Sequence, residues 1–150
     1  MIISLKEVTR ENWTEAVELK VWPEQAHFVP TVLRSIAKAY IRPEGPPVTP
    51  YAIYADTQMV GFFTFTCNPE STTEYWINGF LIDKAYQKRG YGRAALTEML
   101  KLFRQLYPQA TQVNLTVESE NHLAQNLYQS FGFNATGQVH DDELVYSLNF

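Results

Sequence analysis

The stretch Tyr86-Gln87-Lys88-Arg89-Gly90-Tyr91-Gly92-Arg93-Ala94-Ala95-Leu96 constrains this chain most, because it turns an apolar strand into a long helix through two glycines. Trp76 to Ile82 has strand composition, whereas Ala94, Ala95, Leu96, Met99, Leu100, Phe103 and Leu106 recur at helical spacing. The first amides of a helix are unpaired and carry the positive end of its dipole, and a glycine without Cβ lets a phosphate approach the backbone. Lys88, Arg89 and Arg93 add charge there. The turn is therefore expected to cradle an anion.

Spacing separates the phosphate cradles that compete for this pattern. No Gly-x-x-x-x-Gly-Lys-Ser/Thr occurs, which argues against a nucleoside-triphosphate P-loop. Gly90-Tyr91-Gly92-Arg93-Ala94-Ala95 does satisfy the dinucleotide fingerprint, with Glu118 as its ribose carboxylate. Yet Asp83 to Arg89 intervene after the strand, and Glu118 follows at roughly thirty residues where about 20 are expected. An ordinary glycine turn is the plainer alternative.

Gln87-Lys88-Arg89-Gly90-Tyr91-Gly92 resembles the Gln/Arg-x-x-Gly-x-Gly/Ala turn of the GNAT superfamily, the acyl-coenzyme-A-dependent N-acetyltransferases. Glu120 to Phe133 resembles that family's second signature, in which an Asn opens a helix, a Tyr follows two turns later and a Gly-Phe closes it. Within the family, Tyr75 to Gln87 is most similar to bacterial polyamine and diamine (spermine/spermidine) acetyltransferases, although the position of Asn78 is often acidic in those. The resemblance implies one α/β (α+β) domain over residues 1–150, with a mixed sheet of about six or seven strands and about four flanking helices, splayed at an acetyl-CoA site. It further implies direct acetyl transfer from acetyl-CoA to a small-molecule primary amine. A non-catalytic coenzyme-A sensor and a protein or peptide N-acetyltransferase are the alternatives, and a homodimer is left open.

Composition agrees with one such domain. The chain has 150 residues, 45% of them hydrophobic, enough for one core and too few for two ordinary domains. A net charge of −4 argues against nucleic-acid or anionic-membrane partners and suits a cationic acceptor. Cys67 is the single cysteine, so no internal disulfide forms, in keeping with a reducing cytoplasm, and it is expected to fill a strand face. No run approaches the ~20 apolar residues of a membrane span, and no basic, apolar leader opens the chain.

Along the chain, Ile2 to Val8 is β-prone, and Thr9 to Val21 is expected to be helical, with Trp13, Ala16, Val17 and Lys20 at helical spacing and Trp22-Pro23 ending it. A second helix from Val29 or Pro30 to Tyr40 carries an apolar stripe of Val32, Leu33, Ile36, Ala37 and Tyr40, and the prolines after Arg42 stop it. Pro50 to Tyr54 and Met59 to Thr66 read as a hairpin, the cradle helix runs to Tyr107, and Gln112 to Val117 is a strand. Asn121 to Phe131 is a helix, and Phe133 to Gln138 with Glu143 to Leu148 makes a closing hairpin.

Gly79 inside a strand pattern predicts a bulge or a close backbone approach. By resemblance, Phe80, Leu81 and Ile82 contact pantetheine, and an amide near Leu81 polarises the thioester carbonyl, a contribution of about 3 kcal/mol. The same residues also suit the core. By resemblance, pyrophosphate is expected on the amides from Lys88 through Arg89, Gly90, Tyr91 and Gly92 to Arg93, with Gln87 shaping the turn. Helical spacing puts Asn121 and Tyr128 on one edge of their helix and Leu123, Leu127 and Phe131 on another, the expected core stripe. By resemblance, Asn121 contacts the pantetheine region and Tyr128 is the general acid beside the sulfur. Glu74 and Glu118 are candidate bases at strand ends, while the resemblance makes Trp22, Glu24 and Phe28, between the first two helices, and Asn78 candidate acceptor-binding residues. His27, His122 and His140 have no metal-ligand spacing with one another or with Cys67, so no metal is expected. No nucleophilic triad is readable, which favours direct transfer over a covalent enzyme intermediate.

Overall fold

A computed structural model describes residues 1–150. The strands are β1 (Ile3–Glu7), β2 (Val48–Ala55), β3 (Gln58–Cys67), β4 (Tyr75–Ile82), β5 (Gln112–Val117), β6 (Asn134–His140) and β7 (Glu143–Asn149); β3 is a near-continuous apolar run buried on both faces, whereas β6 is exposed along its length. The helices are α1 (Trp13–Ala16), α2 (Val32–Ile41), α3 (Tyr91–Leu106) and α4 (His122–Ser130), with short 3-10 helices at Pro23–Phe28 and Lys84–Tyr86. One seven-stranded mixed sheet runs β1-β2-β3-β4-β5-β7-β6. The single parallel neighbours are β4 and β5, which meet at one ladder pair, Trp76 with Asn114.

That pair is pinned by a buried side chain. Asn114 Nδ2 donates to the carbonyls of Thr73 (2.9 Å) and Tyr75 (3.0 Å), while its Oδ1 accepts from Gln112 Nε2 (2.9 Å) and the Ser147 hydroxyl. Beyond it the two strands part, leaving β4 with no ladder partner on its β5 side. The central opening expected from the resemblance is therefore present.

Each face of the sheet buries its own cluster. Phe63, Phe65, Tyr75, Ile77, Leu115 and Val117 pack against Ala95, Leu96, Met99 and Phe103 of α3 and Tyr128 of α4. Ala52, Met59, Phe62 and Leu81 pack on the opposite face against Ala16, Leu19 and Val32. Tyr75 and Ile77 thus face α3, whereas Leu81, also odd-numbered, faces α2. One extra residue in β4 causes the switch: Phe62 pairs with Leu81 and Thr64 with Asn78, so Gly79 and Phe80 together oppose Phe63. The predicted bulge is there, and Gly79 carries it at φ +61°, where a Cβ would come within 2.9 Å of Ser35 Oγ of α2. Both the backbone angle and the close approach require glycine.

Three helical expectations need correction. The first helix stops at Ala16 rather than reaching Val21, because long-range bonds capture the following chain: Lys20 N–H donates to Asp83 Oδ1 (2.8 Å), and Lys84 N–H to the Lys20 carbonyl (2.8 Å). Trp13, placed on the apolar face by spacing, is 47% exposed. In α2 the buried positions are Val32 and Ser35, while Leu33 and Tyr40 of the expected stripe point to solvent. In α4 Leu127 and Phe131 of the expected core edge do pack against the α3-side cluster, but Leu123 is exposed and the Tyr128 ring is buried in that same cluster. Cys67 is buried as expected, and burial pushes its thiol up to about 11, far from a reactive thiolate.

Candidate active site

The gap between β4 and β5 opens into a cavity of about 1200 Å³ that reaches both faces of the sheet. Its α3-side wall is the strand-to-helix turn and α4; its α2-side wall is built from β3, β4, β5, β7 and α2.

The turn is an amide cradle. From Gln87 to Arg93 no backbone N–H donates to a carbonyl or side chain of the protein, and the next, on Ala94, makes the first helix bond, to Gly90 (3.1 Å). Lys88 (φ +62°) and Gly90 (φ +84°) both adopt left-handed backbone, which curls the turn ahead of α3. A Cβ on Gly92 would meet Ile82 and Leu127 only at ordinary contact distance, 3.9 Å, so the protein itself does not exclude a side chain there. Gln87 shapes the turn as expected: its Nε2 donates to the Ile82 carbonyl (3.0 Å) and to Gln25 Oε1 (2.9 Å), and Gln25 Nε2 returns a bond to Gln87 Oε1 (3.0 Å). That amide pair ties the cradle to the 3-10 helix Pro23–Phe28. Lys88 and Arg93 line the cavity. Arg93 lies over the Phe131 ring, and Arg89, stacked on Tyr86, is not part of the lining.

Asn121 caps α4, its Oδ1 accepting from Ala124 N–H (3.3 Å), and lines the cavity beside Leu123 and Leu127. Tyr128 is only 8% exposed and packs against Phe133 at 5.8 Å between ring centres. Its hydroxyl has no hydrogen-bond partner in the protein, yet no fully buried side-chain polar atom is left unpaired. Its hydroxyl therefore keeps some exposure, and Tyr128 lines the cavity. Burial, reinforced by the charge of Glu143, holds the phenol above its ordinary value of 10.0.

The α2-side wall is acidic. Glu44, Glu74, Asp141 and Glu143 line it against a single lysine, Lys38, with Phe28, Trp76, Asn78, Thr64 and Thr66 between them. Asn78 accepts from the Thr66 hydroxyl (3.0 Å), and Glu74 accepts from Asn68 Nδ2 (3.0 Å) at the rim. Trp76 faces the His140 ring at 5.3 Å, which brings the β6–β7 hairpin over the opening.

Of the sequence candidates, Phe80, Leu81, Ile82, Gln87, Lys88, Gly90, Tyr91, Gly92, Arg93, Asn121, Tyr128, Glu74, Phe28 and Asn78 share this one cavity. Trp22, Glu24 and Glu118 lie outside its lining. Trp22 is 44% exposed beneath Lys84, and Glu118 is drawn to His27 (3.7 Å). Glu143 and Lys38 were missed. Neither stands in a motif, and only the register of β7 on β5 brings Glu143 to the opening.

Taken together, a parallel strand pair that parts at its centre, a bulged β4 and an unbonded amide turn ahead of a helix define an acyl-transfer scaffold. The acetyltransferase (GNAT) family matches residues 5–133, and the chain belongs to it; it is an N-acetyltransferase. It is 27% identical over 148 residues to the spermine/spermidine N(1)-acetyltransferase of Bacillus subtilis (strain 168), spanning 93% of this chain and 92% of that one. Its fold is shared with an aminoglycoside acetyltransferase solved with coenzyme A (TM-score 0.78, 15% identity, 99% of this chain and 95% of that one). It is shared also with the spermidine N-acetyltransferase of Vibrio cholerae solved with CoA and spermine (TM-score 0.72, 15% identity, 97% and 92%). No helix is long and apolar enough to cross a membrane.

Proposed function

We propose that this acetyltransferase moves the acetyl group of acetyl-CoA directly onto a primary amine of a polyamine such as spermine or spermidine. The observation that carries this reading is the polarity of one continuous cavity. Its α3-side end offers free amides from Gln87 to Arg93 with Lys88 and Arg93, chemistry suited to pyrophosphate, and its α2-side end offers carboxylates suited to ammonium groups. The relative named for spermine and spermidine supports the same acceptor class.

In this reading the unpaired edge of β4 beyond Trp76 holds the pantetheine arm by backbone bonds, with Phe80, Leu81 and Ile82 along it and Asn121 at the mouth of α4. An amide near Leu81 polarises the thioester carbonyl. Tyr128 gives its proton to the departing sulfur. A phenol near 10 is already a weaker acid than a thiol near 8.5 by about 2 kcal/mol, and burial widens the gap. Tyr128 therefore acts in step with recovery of a proton from the attacking nitrogen.

The test follows release of free coenzyme A while spermine, spermidine, short diamines, aminoglycosides and peptide N-termini are supplied in turn. Polyamines should give the highest kcat/KM. Preference for a peptide amine would move the enzyme to protein N-acetylation, and tight coenzyme-A binding without turnover on any amine would make it a sensor.

A further inference from the structure

Strand alternation places Glu143, Val145 and Ser147 of β7 opposite Leu144, Tyr146 and Leu148, which pack on the α3-side cluster. Thr116 of β5 pairs with Val145 on that α2 side, and its hydroxyl donates to Glu143 Oε2 (3.3 Å). Glu143 is thus a fixed, half-buried carboxylate on the acceptor side of the β4–β5 gap. Tyr128 reaches the same gap from α4 on the other side, nine-tenths buried and with its hydroxyl unpartnered. The two are near enough for the carboxylate's charge to act on the phenol. Glu120, His122, His140 and Asp141 also line the cavity, whereas Glu74 is held at the rim by Asn68 and Glu118 lies outside the lining; of these carboxylates only Glu143 is tied to β5, through Thr116.

We propose that Glu143 is the group that holds the acceptor's reacting ammonium and takes its proton, a role that rests on the acetyl-transfer reading above. The ammonium loses one proton to the Glu143 carboxylate and becomes a neutral amine, whose lone pair forms the new C–N bond as the C–S bond breaks. The nitrogen's second surplus proton passes to the Tyr128 oxygen as the phenol proton passes to the sulfur, giving amide and free thiol. Glu143 then releases its proton to water. Nothing is oxidised or reduced.

The surroundings suit a proton acceptor. Burial raises the carboxyl above the ordinary glutamate value, Glu118 and Asp141 raise it further, and the Thr116 bond and Lys38 of α2 work the other way. A carboxyl so raised lies closer to the amine, which makes the transfer less uphill.

The test uses spermine as acceptor and compares Glu143→Gln and Thr116→Val with the parent from about pH 5 to 9. Glu143→Gln should lower kcat/KM for spermine about 100-fold or more and remove the acid-side fall of the profile, while KM for acetyl-CoA stays within about twofold. Thr116→Val keeps the carboxylate but loses a bond that lowers its pKa, so the acid-side fall should move to higher pH. A Gln variant within about threefold of the parent with an unchanged profile overturns the assignment. Should that variant not fold, an unmoved profile in Thr116→Val overturns it equally. A parent that acetylates no amine rejects the acetyl-transfer reading itself, and this role with it.

Discussion

Removing a single oxygen from Tyr128 separates chemistry from packing. A bonded core tyrosine changed to phenylalanine loses about 1–3 kcal/mol when a buried partner is left unpaired. Tyr128 has no such partner: its hydroxyl contacts no protein donor or acceptor, while its ring stays against Phe133. Tyr128→Phe should therefore leave the melting temperature unchanged or slightly raised, and coenzyme-A affinity within about twofold. Turnover should behave otherwise. Loss of a positioned proton donor typically costs 10²- to 10⁴-fold, about 2.7 to 5.5 kcal/mol in activation free energy. Saturating kcat, thermal unfolding and calorimetric coenzyme-A binding on one preparation measure all three. Full turnover in the variant would pass the proton-donor role to water. A stability loss above about 1 kcal/mol would show that the hydroxyl is bonded after all and refute the geometric argument.

Two further perturbations report on other walls of the cavity. Gly92→Ala should fold normally, since its Cβ meets Ile82 and Leu127 only at 3.9 Å, whereas Gly92→Val, projecting further towards the free amides, should weaken coenzyme A at least tenfold, about 1.4 kcal/mol. Calorimetry giving parental affinity in the folded Val variant would remove phosphate from this turn. For stability, a carboxyl raised in the folded state binds more protons there than in the unfolded chain, so its contribution is lost as pH rises from about 4.5 through the raised value. Glu143→Gln should accordingly melt higher than the parent at neutral pH, with the difference closing towards acid; a lower melting temperature at neutral pH would contradict the burial argument.

The elements that carry strong local signals were legible in the sequence. α3 and β4 follow their apolar periods, and Gly79 announced its bulge by interrupting a strand. The turn with its unbonded amides was legible too, because its glycines and the Gln87 amide act on their own immediate backbone. The misread parts depend on distant partners. Nothing near Lys20 says that Asp83 will capture its amide and end the first helix. In α4, spacing correctly groups Asn121 with Tyr128, but burial is decided by what stands opposite, and the α3-side cluster takes the tyrosine ring while Leu123 stays outside. Glu143 lay in an unremarkable strand start, and its position depends on register with β5.

The single rung between β4 and β5 divides the sheet into a four-stranded and a three-stranded half, joined at the Asn114 side chain where neighbouring strands would ordinarily be laced along their length. Such a joint leaves the seam free to breathe. In the reading proposed above, a substrate arm lying along the bare edge of β4 would complete the ladder as an absent strand would, and the two halves would gain shared rigidity while the donor is bound. Exchange of those β4 amides beyond Trp76 that face the seam should then slow when coenzyme A is bound, while the amides of β5 stay laddered to β7. On that reading, part of the donor's intrinsic binding energy would go into holding the two halves in register, lowering its affinity below what its contacts alone would give and easing release of the spent carrier.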